Sequence, residues 1–327
     1  MTVHPMFGPD RTSGSRTPTA RGRQRAAMSG CHRQLPARTH LLTMDDGVTL
    51  AVSEVGIAEA AVTVVFCHGL CLDMESWRHQ RSRLSRIWGA EVRMIFYDHR
   101  GHGASGDGDP DDNTVERLGR DLAAVLDLRA PGSQVVLVGH SMGGMAVLAY
   151  LGSHPHVIGT RVIGVGLIAT AADRVAETGL GRALNTPLID ALRLASRGPD
   201  WLFQGGWHVG RRLAVPLIGG DTRPVRIRPG TVVSFLSAIR CYDASDTLAL
   251  LSATPALVLC GTEDPLTPIA HSERLADALP EAEFIVVAGA KHEVTVQHAD
   301  TVCSAIARLL TRALDTCHPH RLLGADA

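Results

Sequence analysis

The sequence predicts an α/β protein in which a mostly parallel central sheet is flanked by helices on both faces and interrupted by one helical insertion. Short, unbroken apolar runs rich in β-branched residues recur along the chain, as strands covered on both faces require. These runs alternate with stretches of helical apolar spacing, the order that parallel sheets use. The third observation is QVVLVGHSMGGMAVLAY, Gln134 to Tyr150, which reads as a buried strand, a tight glycine-bounded turn and a helix, with a serine at the turn.

Taken in order, residues 1–40 carry seven arginines, one acid and several Gly, Ser, Thr and Pro, with almost no periodic apolar pattern, and so predict a disordered basic leader. A secretory signal would need an apolar region of roughly seven residues or more after these arginines, and none follows; the expected alternatives are a start mis-assigned upstream of Met28 and, behind it, a targeting presequence. From Leu41 two short alternating segments flank Asp46-Gly47, a dipeptide favoured by tight hairpins, so an antiparallel pair opens the domain. Ala61 to Cys67 is an apolar strand ending at His68-Gly69-Leu70-Cys71, and Val92 to Tyr97 another, ending at Asp98-His99-Arg100-Gly101-His102-Gly103. Trp77 to Trp88 has helical spacing, and Asn113 to Leu128 puts Val115, Leu118, Leu122, Val125 and Leu126 on one helix face. Arg161 to Ala169, Ala256 to Cys260 and Glu283 to Val287 read as later strands.

Residues 173–250 break the alternation. They hold no convincing core strand, and a structureless loop of that length is improbable inside a compact domain. Their apolar segments, Leu188 to Leu194, Trp201 to Trp207 and Val232 to Ile239, suggest a helical cap between two strands. The expected organisation is a core of residues 41–172 and 251–314, a cap of 173–250 and a flexible tail of 315–327.

Composition narrows the function. A hydrophobic content of 45%, 20% charged residues and a net charge of −1 are ordinary for a soluble globular chain and give no reason to invoke nucleic acid. No apolar run reaches the roughly 18 residues of a membrane span. A single lysine, Lys291, against 31 arginines reflects coding bias more than chemistry. The seven cysteines, Cys31, Cys67, Cys71, Cys241, Cys260, Cys303 and Cys317, are odd in number, scattered and without C-x-x-C spacing, which suits reduced thiols in a cytoplasmic protein. The 16 histidines show no metal-ligand spacing, so no metal site is expected.

The turn Gly139-His140-Ser141-Met142-Gly143 matches G-x-S-x-G. With 33 glycines in the chain the pentapeptide is a weak signal by itself, and its strand–turn–helix context carries it. A direct turn from strand to helix forces the central residue into a strained backbone and lifts its side chain off the sheet, while glycines two before and two after let the backbones pass. The first helical N–H groups then face whatever binds beside the serine. A serine nucleophile needs a base, and the base needs an acid to hold its tautomer; in such sheets both sit in loops after later strands. Gly261-Thr262-Glu263-Asp264-Pro265 follows one late strand and Ala290-Lys291-His292-Glu293 the next, so Asp264 and His292 complete the order Ser, Asp, His. Asp243 or Glu263 could replace the acid, and His298 or His271 the base; His140, His68, His99 and His102 read as packing and loop-shaping residues.

On these motifs the chain resembles the α/β-hydrolases from about Leu41 to Leu314, and its elbow is similar to those of monoacylglycerol-lipase-like and esterase members. The resemblance implies a second oxyanion donor in the His-Gly loop, at the Leu70 N–H beside that of Met142. Dehalogenases and epoxide hydrolases of this fold carry Asp at the elbow, so Ser141 argues against both, and Cys71 stands where many members have proline. The expected activity is acyl transfer from a small to medium hydrophobic ester to water, with no cofactor, and with Cys71, Phe203 and Trp207 lining the substrate pocket. The alternatives are a metal-free haloperoxidase-like perhydrolase, a thioesterase, a lactonase, a C–C bond hydrolase, or a ligand-binding protein that keeps the triad.

Overall fold

A computed structural model describes residues 37–195, 220, 223 and 225–317. Most of the expected leader, the end of the tail, and Trp201, Phe203 and Trp207 lie outside the described residues. The sheet has eight strands, β1 Arg38–Thr43, β2 Thr49–Val55, β3 Val62–Cys67, β4 Val92–Tyr97, β5 Gln134–His140, β6 Val162–Ile168, β7 Ala256–Gly261 and β8 Ala282–Val287. Their spatial order is β1-β2-β4-β3-β5-β6-β7-β8. Pairing is antiparallel for β1 with β2 and for β2 with β4, and parallel across the rest.

Every residue of β3, β4, β6 and β7 is buried, and alternation sorts their side chains between two cores. Val65, Ile95, Leu137 and Val258 pack on one face against helices α2 (Val115–Arg129), α3 (Met142–Ser153) and α7 (Ile269–Ala278). Val64, Phe66, Met94 and Val138 pack on the other, against α1 (Arg78–Trp88) and α8 (Ala299–Cys317). A sheet so covered has solvent access at the strand ends, and the loops after β3, β5, β7 and β8 carry Leu70 and Cys71, Ser141, Asp264 and His292 respectively.

Between β6 and β7 the described elements are 3-10 turns at Val175–Glu177 and Gly179–Asn185, then helices α4 (Pro187–Ala195), α5 (Pro229–Arg240) and α6 (Ser245–Leu250). Val175, Leu184, Ile189, Phe235 and Ile239 of this insertion form a third core with Leu118, Met142 and Met145. The insertion therefore packs directly over the start of α3. Its residue Arg226 accepts Gly103 N–H at 3.0 Å and donates to Ser105 O at 2.9 Å, while Arg223 pairs with Asp73 beside the loop after β3.

Two boundaries differ from the sequence reading. Strand β1 starts at Arg38, inside the stretch read as leader, because a sheet edge holds it by backbone pairing, Arg38 to Glu54 onward, and leaves its side chains too exposed to show apolar alternation. Helix α8 runs past Leu314 to Cys317, with Thr316 Oγ1 donating back to Arg312 O at 2.9 Å. Helix α7 was not assigned from sequence either, its apolar face being short.

Candidate active site

Ser141 sits at φ 53 and ψ −123, a conformation that costs a non-glycine residue of order 1–3 kcal/mol and persists only when the surroundings enforce it. They do: Ser141 N–H donates to Ile168 O at 3.0 Å, and its own carbonyl accepts Thr170 Oγ1 at 2.7 Å. Close approach explains the flanking glycines. A Cβ on Gly139 would stand 2.5 Å from Gly143 O, and one on Gly143 2.2 Å from Cys67 O, both backbone atoms that cannot step aside.

His292, in the loop after β8, brings its Nε2 to 2.9 Å from Ser141 Oγ. Its Nδ1 lies 2.8 Å from Asp264 Oδ2, in the loop after β7. Asp264 is itself fixed: Oδ1 accepts Leu266 N–H at 2.8 Å and Thr267 N–H at 3.0 Å, and Oδ2 accepts Thr267 Oγ1 at 2.7 Å. A carboxylate so surrounded needs the hydrogen on His292 Nδ1, which leaves Nε2 free to accept from the serine hydroxyl. Burial acts to raise the Asp264 pKa, but the adjacent His292 and the bonds from Thr267 outweigh it and hold the carboxyl below its ordinary value. Burial likewise acts to lower the His292 pKa, and attraction to Asp264 overcomes it, so the imidazole is raised above its ordinary value. The two shifts agree in sign with one ion pair.

The other candidates lie elsewhere. Asp243 is exposed and caps Ser245 at 2.9 Å, Glu263 is exposed, and buried His271 accepts from Arg274 Nη2 at 2.6 Å. The imidazole within bonding distance of Ser141 is that of His292. His140 lies beneath the elbow, as expected of a packing residue, and also donates from Nε2 to His292 O at 3.0 Å, which braces the loop. Burial and the neighbouring His292 lower its pKa to about 3, so it stays neutral.

Ser141 and His292 open onto a cavity of about 430 Å³. Gly69, Leu70 and Cys71 line it from the core; Leu184, Val232 and Leu236 do so from the insertion. Met142 is buried at the first position of α3, where N–H groups have no intrahelical acceptor. Thr267 and Glu293 were missed from sequence. The Asp264-Pro-Leu-Thr267 spacing, in which a side-chain carboxylate can cap an amide three residues on, was a readable sign of the first. Glu293 is buried and lines the cavity, but adjacency to His292 was the only sign of it.

The model of a family described as "Alpha/beta hydrolase family" matches residues 64–305. Among curated proteins the chain is 30% identical over 273 residues, 82% of this chain and 98% of the relative, to the "Putative carbamate hydrolase RutD" of Caulobacter segnis. It is 29% identical over 275 residues, 80% of this chain and 94% of the relative, to the non-heme chloroperoxidase CPO-A1 of Kitasatospora aureofaciens. Among solved structures, a thermophilic esterase from Thermogutta terrifontis shares the fold with a TM-score of 0.65 at 24% identity, over 84% of this chain and 99% of that one. With the matched region spanning β3 to α8 and taking in the elbow and both later loops, the chain belongs to the alpha/beta hydrolase family.

Proposed function

We propose that the protein is a serine hydrolase that cleaves carboxylic esters of small to medium hydrophobic compounds through an acyl-enzyme. The observation that carries this reading is the hydrogen-bonded series Ser141 Oγ, His292, Asp264, at 2.9 and 2.8 Å, at the edge of an apolar cavity.

In this mechanism His292 Nε2 takes the Ser141 proton as Oγ attacks the ester carbonyl, and Asp264 stabilises the imidazolium. The N–H groups of Leu70 and Met142 hold the oxyanion. Collapse expels the alcohol, which takes the proton from His292. Water then attacks the acyl-enzyme, giving its proton to the same imidazole, and the carboxylic acid leaves with Ser141 restored. None of these steps calls for a cofactor.

The insertion acts as a cap that selects the substrate. Leu180, Leu184, Ile189, Val232, Leu236 and Ile239 of the insertion line the cavity opposite Ser141, an aliphatic wall suited to an acyl chain or a hydrophobic alcohol. Cys71 lines the cavity from the core side. The names of the relatives also raise carbamate hydrolysis and chloroperoxidase chemistry as alternatives for this site; the aliphatic wall favours a hydrophobic ester over a small polar carbamate. A series of p-nitrophenyl esters of rising chain length tests the assignment. Efficient turnover that rises from acetyl to medium chains supports it, whereas negligible turnover of every ester beside rapid carbamate cleavage or peroxide-dependent turnover overturns it.

A further inference from the structure

The peptide joining Gly69 to Leu70 lies against the nucleophile, since a Cβ on Gly69 would stand 3.1 Å from Ser141 Cβ. Its carbonyl oxygen accepts two hydrogen bonds, from Leu72 N–H at 3.2 Å and from the His68 ring at Nδ1, 2.8 Å away. The second nitrogen of that ring fixes the tautomer. His68 Nε2 accepts the His99 N–H at 3.0 Å, so it carries no hydrogen, and Nδ1 is the atom that donates to Gly69 O. Burial lowers the His68 pKa to about 4, which keeps the ring neutral in this arrangement.

The ring itself has little freedom. His99 Nε2 donates back to His68 O at 3.1 Å, and the His99 and His102 rings meet His68 edge-on with centroids 4.5 and 5.3 Å away. His102 Nε2 in turn accepts Cys71 N–H at 3.4 Å, holding the residue beyond Leu70. In a trans peptide the C=O and the N–H lie in one plane and point in opposite directions. Fixing the Gly69 carbonyl therefore fixes the Leu70 N–H on the other side.

We propose that His68 is a positioning residue for the hydrolysis: by holding the Gly69 carbonyl through Nδ1–H, it aims the Leu70 N–H at the developing oxyanion and strengthens that N–H as a donor. This rests on the reading of the site as a serine hydrolase with Ser141 as nucleophile, and the experiment separates the failure of that reading from the failure of the proposal. His68→Asn places an amide N–H where Nδ1 stands and keeps the bond to Gly69 O. His68→Gln places its amide where Nε2 stands, able to accept from His99 N–H but not to reach Gly69 O.

Loss of a whole oxyanion donor costs about 10² to 10³ in kcat, so mis-aiming one should cost roughly 10 to 10². The expected result, per active site titrated with a fluorophosphonate, is that His68→Gln loses this factor in kcat with KM little changed and binds a boronic acid transition-state analogue more weakly in proportion. His68→Asn should retain kcat within about threefold, a rescue that packing alone would not give. Equal losses in both variants, or an unchanged kcat in His68→Gln, overturns the proposal. Because either variant could misfold, the ring tautomer is also read in the wild-type protein by long-range ¹H–¹⁵N correlation: Nδ1–H is expected, and Nε2–H overturns the proposal. Ser141→Ala separates the underlying reading, because retained turnover there defeats the triad assignment whatever His68 does.

Discussion

Asp264→Asn should disable the site without emptying it, and the hydrogen bonds say how. Two backbone N–H groups, of Leu266 and Thr267, point at Oδ1 from 2.8 and 3.0 Å, so an asparagine must keep its carbonyl oxygen there. Its NH₂ then takes the place of Oδ2, facing His292 Nδ1 at 2.8 Å. An amide donor in that position makes Nδ1 the acceptor and moves the imidazole hydrogen to Nε2, where it opposes the Ser141 hydroxyl. The base is thus present in the wrong tautomer, a change worth about 10⁴ in kcat for triads of this kind, or about 5 kcal/mol of transition-state stabilisation. The assay is kcat/KM on a p-nitrophenyl ester from about pH 5 to pH 10, beside the melting temperature. A folded Asp264→Asn enzyme within about tenfold of wild type would refute the tautomer argument and reopen the choice of acid.

Other outcomes follow from the same geometry. His292 must be neutral to act as base and its pKa is raised in the folded protein, so wild-type kcat/KM should fall as pH drops through a value above 6.5, while Asp264→Asn, if residual activity allows, should move that limb to lower pH; a limb at or below 6.5 contradicts the pairing. The raised His292 value also means that its stabilisation is fully present below its unfolded value and lost as pH rises through its folded one, so His292→Gln should lower the melting temperature more near pH 6 than near pH 9; the reverse order counts against the ion pair. Gly143→Ala forces a Cβ to 2.2 Å from a backbone oxygen and should cost on the order of 3 kcal/mol, read as a lowered melting temperature; an unchanged one shows that the elbow can relax. Leu184→Ala should shift the ratio of kcat/KM for long and short esters, roughly fourfold for each methylene of lost contact; an unchanged ratio assigns Leu184 to packing.

Much of this architecture was readable because its causes are local. The buried strands β3, β4 and β6 announce themselves as apolar runs, since both faces of each are covered. Ser141 was readable because the turn leaves no room for any Cβ at positions 139 and 143, and that restriction is written as glycine. What escaped depends on contacts across the chain. Strand β1 begins early because pairing to Glu54 needs backbone and no apolar side chain. The bond from His140 to His292 O links residues 152 apart, and the aliphatic wall of the cavity gathers residues from separate turns of the insertion. Thr267 was missed although its spacing from Asp264 was visible, because a threonine in a polar loop has many uses and only the folded loop selects one.

Whether Ser141 is the nucleophile is read by labelling with a serine-directed fluorophosphonate, with the modified peptide identified by mass and with Ser141→Ala measured alongside. One label per chain is expected, on Ser141, and in the folded variant no label and a fall in ester turnover of several orders of magnitude, to about 10³ to 10⁴ over water, which oxyanion donors and binding alone supply. A label on any other residue, or turnover that survives the substitution, would contradict that role.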